Sequence, residues 1–188
     1  MALSKIDTNA IADDAVDNTK LDLASNYAFT GTVTGVGGVN TPYFSAYLTS
    51  NQTGLSDDAY TKINLNGEYA DSDNAYDNSS NYRFTVPSGK GGEYFLSAKF
   101  NGSTQADQDN KDTIVGIYKN GSLLARGRGL LTDSSSDVTQ TEANASIITT
   151  LAAGDYIELY GRVNSTSGDN NNVAIPHFTT LHGFRIIE

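Results

Sequence analysis

Thr113-Ile114-Val115-Gly116-Ile117-Tyr118-Lys119-Asn120-Gly121-Ser122-Leu123-Leu124-Ala125-Arg126 sets two apolar runs on either side of an Asn-Gly pair. A two-residue hairpin turn needs positive φ at both central residues, which Asn and Gly tolerate, so the stretch reads as strand, turn, strand. The same texture extends in both directions. Phe44, Ala46 and Leu48 alternate with Tyr43, Ser45 and Tyr47; Ile63 and Leu65 alternate with Lys62, Asn64 and Asn66. Tyr82, Phe84 and Val86 alternate with Arg83 and Thr85, and Pro87 ends that run. Tyr94, Leu96, Ala98 and Phe100 alternate with Phe95, Ser97 and Lys99 before a second Asn-Gly pair, Asn101-Gly102. Ala145, Ile147, Thr149 and Leu151 form another set, Ile157, Leu159 and Val163 a further one, and 178–187 closes the chain. Eight or more short strands, almost no helix, and Asp/Asn/Ser-rich loops define an all-β antiparallel sandwich or jelly roll. No Pro/Gly/Ser linker interrupts the chain after Pro42, so residues 42–188 read as one domain.

Residues 1–41 differ. They hold a single Tyr and a single Phe, and their larger aliphatics, Ile6, Ile11, Val16 and Leu21, recur every five residues. That interval fits neither a helix stripe nor a strand face. Propensity alone favours a helix over 9–24, through Ala10, Ala12, Ala15 and Leu21. Four spaced aliphatics cannot build a core, however, so the segment is expected to be an extended, partner-dependent arm, with a flexible joint at Val36-Gly37-Gly38.

Charge and composition narrow the function. The 188 residues carry 22 acidic against 12 basic side chains, a net charge of −10. Nucleic acid and anionic membrane surfaces are bound by Lys and Arg, so neither is an expected partner. No apolar run approaches the roughly 20 residues that span a bilayer, and 1–20 lacks a signal peptide's basic start and apolar stretch. With no Cys, disulfides, thiol nucleophiles and thiolate-bound metals are excluded.

Catalytic signatures are also missing. No Gly-x-Ser-x-Gly surrounds any serine, and the five Glu fall in no recognisable motif for glycoside cleavage. His177 and His182 are five apart, on opposite faces of an extended strand, which disfavours a shared metal. Arg126-Gly127-Arg128-Gly129 resembles a fragment of a phosphate loop but opens no helix, so a plain turn is expected. Asp71, Asp73, Asn74 and Asp77 have calcium-loop spacing without the required Gly and Glu, which are Tyr76 and Tyr82 here. Asp107, Asp109, Asn110 and Asp112 repeat the theme. Solvated acidic loops are the expectation, with calcium the alternative; no cofactor and no metal site is assigned.

The order of several motifs resembles the globular head of complement component 1, subcomponent q, and its tumour-necrosis-factor-like relatives. The pieces are Phe44-Ser45-Ala46, 62–66, Tyr76-Asp77, Phe84, Pro87, and Gly92-Glu93-Tyr94-Phe95-Leu96-Ser97. After them come the Asn120-Gly121 hairpin, Gly154-Asp155 and His182-Gly183-Phe184-Arg185. The resemblance covers 42–188 and implies a ten-stranded jelly roll that assembles as a homotrimer, binds ligands through loops and is not an enzyme. It departs at Arg185, where the family usually carries an aliphatic residue, and in the Asn-rich 164–172. The arm, Ala10 to Asp22 with Tyr27 to Gly35, resembles stalk or anchoring segments of bacteriophage fibre proteins.

If the family topology holds, the strands bearing Tyr43 and Tyr47 and those bearing Tyr156 and Tyr160 are neighbours. Four tyrosines would then line one outer face as a trimer interface, scattered surface tyrosine being the alternative. The expected protein is a trimeric virion fibre on the surface of a phage particle. Ile6, Ile11, Val16 and Leu21 would anchor it to other virion proteins, and the head would bind a host surface glycan or protein. Loops 101–112, 132–142 and 164–176 are candidate contact surfaces. A capsid decoration or head fibre is the near alternative, because Met1 followed at once by a short arm suggests a complete small product. A polysaccharide-degrading tip and a bacterial surface module are the others.

Overall fold

Alternation gives each strand one apolar side, and two antiparallel sheets bury those sides against each other. The computed structural model describes residues 40–104, 110–131, 138–166, 168 and 172–186. The four arm aliphatics therefore lie outside the described residues. The first sheet contains β1 (Tyr43–Tyr47), β2 (Gln52–Leu55), β4 (Gly67–Asp71), β7 (Gly92–Ser103), β10 (Gln140–Leu151), β12 (Asn172–Ala174) and β13 (Thr180–Arg185). The second contains β3 (Thr61–Lys62), β5 (Tyr76–Asp77), β6 (Arg83–Thr85), β8 (Asn110–Lys119), β9 (Ser122–Leu130) and β11 (Tyr156–Ser165). β1, β13, β7 and β10 lie side by side in the first sheet, and β11, β8 and β9 in the second.

The core takes most of the expected alternating residues and adds Val115, Ile117 and Leu181, while Tyr82, Ile147 and Thr149 stay half-buried. Phe44, Ala46, Leu96, Ala98, Phe100 and Leu181 from the first sheet meet Phe84, Val115, Ile117, Ile157, Leu159 and Val163 from the second. Phe44 stacks on Phe84 with centroids 4.3 Å apart, joining the sheets. The Phe100 ring fills the space over Gly161, where a Cβ would sit 2.4 Å from it. At one edge the sheets close backbone to backbone. β9 packs on β10 so tightly that a Cβ on Gly127 would lie 1.7 Å from the Asn144 carbonyl oxygen.

Asn120-Gly121 and Asn101-Gly102 part company. Asn120 (φ 51°) and Gly121 (φ 77°) turn as expected between β8 and β9. Asn101-Gly102 does not turn; β7 runs through it to Ser103, paired with Thr141 and Glu142. Gly102 is there for room, since a Cβ would come 2.5 Å from Val163 and 3.0 Å from Phe100. Arg126 to Gly129 are likewise strand and not turn, because β9 continues in register with β8 to Leu130. Arg185 keeps its register with Tyr94. It fits in the aliphatic position because its side chain lies over Gly92, whose Cβ would sit 3.0 Å from Nε.

Gly154-Asp155 of the resemblance has a mechanical role. The Asp155 carboxylate pairs with Lys119 Nζ (2.8 Å) and accepts from Ala152 N–H (2.8 Å) and Asn120 Nδ2 (2.7 Å). Asn120 Oδ1 in turn accepts from Tyr156 N–H (2.9 Å). One carboxylate thus ties the β8–β9 turn to the start of β11. The Lys119 contact, with the donors from Ala152 and Asn120, holds Asp155 down at about 2 against an ordinary 3.8.

Two outcomes follow from this packing. Gly127→Ala should cost about 2–3 kcal/mol in urea unfolding, because backbone and not a yielding side chain blocks the added carbon. A depressed carboxylate stabilises above its unfolded value and loses that contribution as pH falls through its folded one. Unfolding midpoints should therefore drop between pH 3.8 and about 2, and Asp155→Asn should flatten that part of the profile while lowering stability at neutral pH.

Candidate functional site

The outer face of the first sheet is built by cross-strand register. Residues two apart on a strand share a face, and directly paired residues sit side by side. Tyr43 pairs with Phe184, Phe184 with Phe95, and Phe95 with Ile148, so one apolar row crosses β1, β13, β7 and β10. At one strand spacing per step the row extends about 15 Å. Phe95 and Phe184 touch, with centroids 5.4 Å apart. Ile148 is 60% exposed, Tyr43 44% and Phe184 38%. A shallow depression of about 430 Å³ adjoins the row at Tyr43, His182 and Phe184.

The next row is polar: Ser45, His182, Ser97 and Ser146. Ser45 Oγ and His182 Nδ1 share a hydrogen bond of 2.8 Å. Partial burial lowers the His182 pKa from its ordinary 6.5. The third row is Tyr47, Thr180, Lys99 and Asn144.

The expected stripe of four tyrosines is not formed. β1 is in the first sheet and β11 in the second, so the core separates Tyr43 and Tyr47 from Tyr156 and Tyr160. Three of the four already have partners within the chain. Tyr47 stacks on Tyr69 (4.1 Å) and His177 (5.4 Å), Tyr160 on Tyr118 (4.0 Å), and Tyr156 lies under Arg83 (4.3 Å). Tyr43 alone of the four belongs to the open row. Phe95, Phe184 and Ile148 were missed, although each is an apolar residue on the wrong parity of an alternating strand, which was the available signal.

The three proposed contact loops are shorter than expected, because their ends pair: Asn101–Ser103 in β7, Asn110–Asp112 in β8, Gln140–Glu142 in β10 and Asn172–Ala174 in β12. The pairings Ser103↔Gln140, Asn110↔Ser165 and Asp112↔Leu130 bring all three to one end of the sandwich. Asn110 Nδ2 braces that end, donating to Thr113 Oγ1 (3.0 Å) and Thr141 Oγ1 (2.9 Å). Residues 105–109, 132–137, 167 and 169–171 of these loops lie outside the described residues.

The 71–77 acidic loop spends its oxygens within the chain, Asp71 and Asp77 on nearby backbone and Asp73 on Ser72 Oγ and Lys90 Nζ (4.0 Å). Asp71 accepts from Tyr76 N–H (2.8 Å), and Asp77 from the N–H groups of Ser79, Ser80 and Asn81, which together with Asn81 Nδ2 hold Asp77 well below the usual carboxylate range. Among the described residues no group of three His, Cys, Asp or Glu is placed to hold a metal ion. His177 precedes β13 in a loop, at φ 60°, so strand parity does not relate it to His182.

Comparison with solved structures fixes the class of fold. The globular domain of zebrafish complement 1qA protein matches with a TM-score of 0.55 at 12% identity, over 79% of this chain and 99% of that one. Eiger TNF from S. frugiperda matches with a TM-score of 0.51 at 11% identity, over 78% and 94%. No family model and no curated protein matches the chain. The described residues therefore have a C1q/TNF-like fold, all-β and built from two antiparallel sheets.

His182 supplies a pH test of this face. A histidine whose folded pKa lies below its unfolded value resists the proton, so stability falls as pH drops through the unfolded value of 6.5 toward the folded one. Urea midpoints measured from about pH 8 to about pH 5 should decline on the acid side, and His182→Asn should remove that decline.

Proposed function

We propose that the chain is a non-enzymatic bacteriophage virion protein, a homotrimeric fibre whose head binds a receptor or glycan on the host surface. The observation that carries the assembly is the row Tyr43–Phe184–Phe95–Ile148. Apolar area left in water is unfavourable by about 25 cal/mol per Å², and contiguous patches of this kind mark contact sites. Three copies meeting through that face would remove it from water and leave the second sheet and the loop end outward. The arm's resemblance to phage fibre stalks supports the virion placement, with residues 1–41 gripping other virion proteins. Three heads on one fibre, and several fibres on one particle, raise avidity by roughly 10²–10⁴ without any single tight contact.

Sedimentation equilibrium of the full chain should give three times the 20.0 kDa chain mass. Ile148→Lys should leave the far-ultraviolet spectrum unchanged and shift the protein toward monomer, because the side chain is exposed in the single chain. A wild-type monomer at micromolar concentration overturns the trimer. Tagged protein imaged on virions decides its place: tail-tip labelling supports the fibre, shell labelling favours capsid decoration, and unlabelled particles overturn both.

A further inference from the structure

The outer face of the second sheet gathers three arginines in a chain of net charge −10. Ile114 of β8 pairs with Arg128 on one side and Arg162 on the other; two residues along, Gly116 pairs with Arg126 and Tyr160. The side chains of Arg126, Arg128 and Arg162 consequently rim one groove of about 410 Å³ floored by Ile114 and Gly127. Two carboxylates answer them. Asp112 Oδ2 accepts from Arg128 Nη2 (2.8 Å), and Asp58 from Arg162 Nη2. Arg126 has no hydrogen bond or ion pair among the described residues, and the buried Arg162 Nε has no acceptor. Among the described residues the groove thus keeps one unpaired guanidinium, Arg126, and an unused donor on Arg162.

An aromatic platform borders it. Tyr118 and Tyr160 stack at 4.0 Å, and Tyr60 meets Tyr118 edge-on at 5.8 Å. Gly116 makes this close approach workable, since a Cβ there would lie 2.9 Å from the Tyr118 ring and 3.3 Å from Tyr60. Burial and the neighbouring tyrosines raise the pKa of Tyr118, so its hydroxyl is a neutral hydrogen-bond partner at pH 7.

We propose that this groove and platform form a binding site for an acidic glycan, a sugar chain bearing carboxylate or sulfate groups. Guanidinium forks match the planar, multi-oxygen anion, and the tyrosine faces and hydroxyls suit the sugar ring beside it. The site lies on the opposite side of the core from the apolar row, so assembly through the first sheet leaves every copy's groove facing out. Nucleic acid has the same two chemistries, but its unbroken run of phosphates meets a −10 chain with only three arginines in the groove. An acidic sugar presents its charges singly. The inference rests on the receptor-binding reading above only for its biological use; the groove's ligand class stands on its own geometry.

The test is calorimetric titration of the full chain at low salt with oligogalacturonate (carboxylate) and a dextran sulfate oligosaccharide (sulfate). Neutral dextran and a single-stranded oligonucleotide are the controls. Binding to one of the two acidic sugars, weakened by salt and absent for neutral dextran, is expected. Arg126→Gln, which removes no hydrogen bond or ion pair among the described residues, should weaken binding about tenfold; Arg126→Lys should restore part of it. No binding to either acidic sugar, binding untouched by Arg126→Gln, or stronger binding of the oligonucleotide overturns the site. If the wild-type head and Arg126→Gln block phage adsorption equally, the groove is not the receptor site and the receptor-binding reading stands. If the wild type binds acidic sugar yet never blocks adsorption, the groove is upheld and the receptor role falls.

Discussion

Everything in this head follows from the pressing together of two sheets whose inner faces cannot remain wet. Phe44 against Phe84, and Phe100 against the bare backbone of Gly161, set the distance between the sheets. Gly127 sets it again at the β9–β10 edge, where the sheets meet without intervening side chains. Interiors are packed to crystal-like density, which leaves no slack between the two inner faces. Once the inner faces are spent on each other, each sheet has one outer face left, and among the described strands those faces are what a partner can meet.

The two outer faces differ in chemistry because parity and register act separately on each. On the first sheet, Tyr43, Phe184, Phe95 and Ile148 fall into one line because β1, β13, β7 and β10 are neighbours in that order. On the second, Ile114 draws Arg128 and Arg162 to its two sides while Gly116 makes way for rings. An apolar row suits a copy of the same chain; a guanidinium groove beside tyrosines suits an anion on a ring. In the proposed trimer, their placement on opposite sides of the core would let one face serve assembly and the other recognition without competition. Sequence likeness to the resembling family makes more sense in this light, since Phe95 and Phe184 of its motifs meet at the centre of the apolar row, and Asp155 clamps the β8–β9 turn.

The chain by itself determined its strands and its core. Inward residues are coded locally: a period of two, with Pro87 or Asn120-Gly121 as punctuation, identifies Phe44, Leu96 and Leu159 as buried before any partner strand is known. It also excluded thiol chemistry, from composition alone. Local pattern failed wherever the answer depended on a distant segment. Asn101-Gly102 has the letters of a turn, yet Val163 and Phe100 need the glycine's missing side chain, so the strand goes straight through. Tyr43 and Tyr156 look alike in alternation, but only the strand order shows that the core lies between them. The apolar row and the arginine groove were decided by tertiary structure for the same reason. The row joins residues 36 to 141 positions apart, and the groove joins Ile114, Arg126 and Arg128 to Arg162, 34 to 48 positions further on; both are brought side by side by backbone hydrogen bonds that carry no side-chain label.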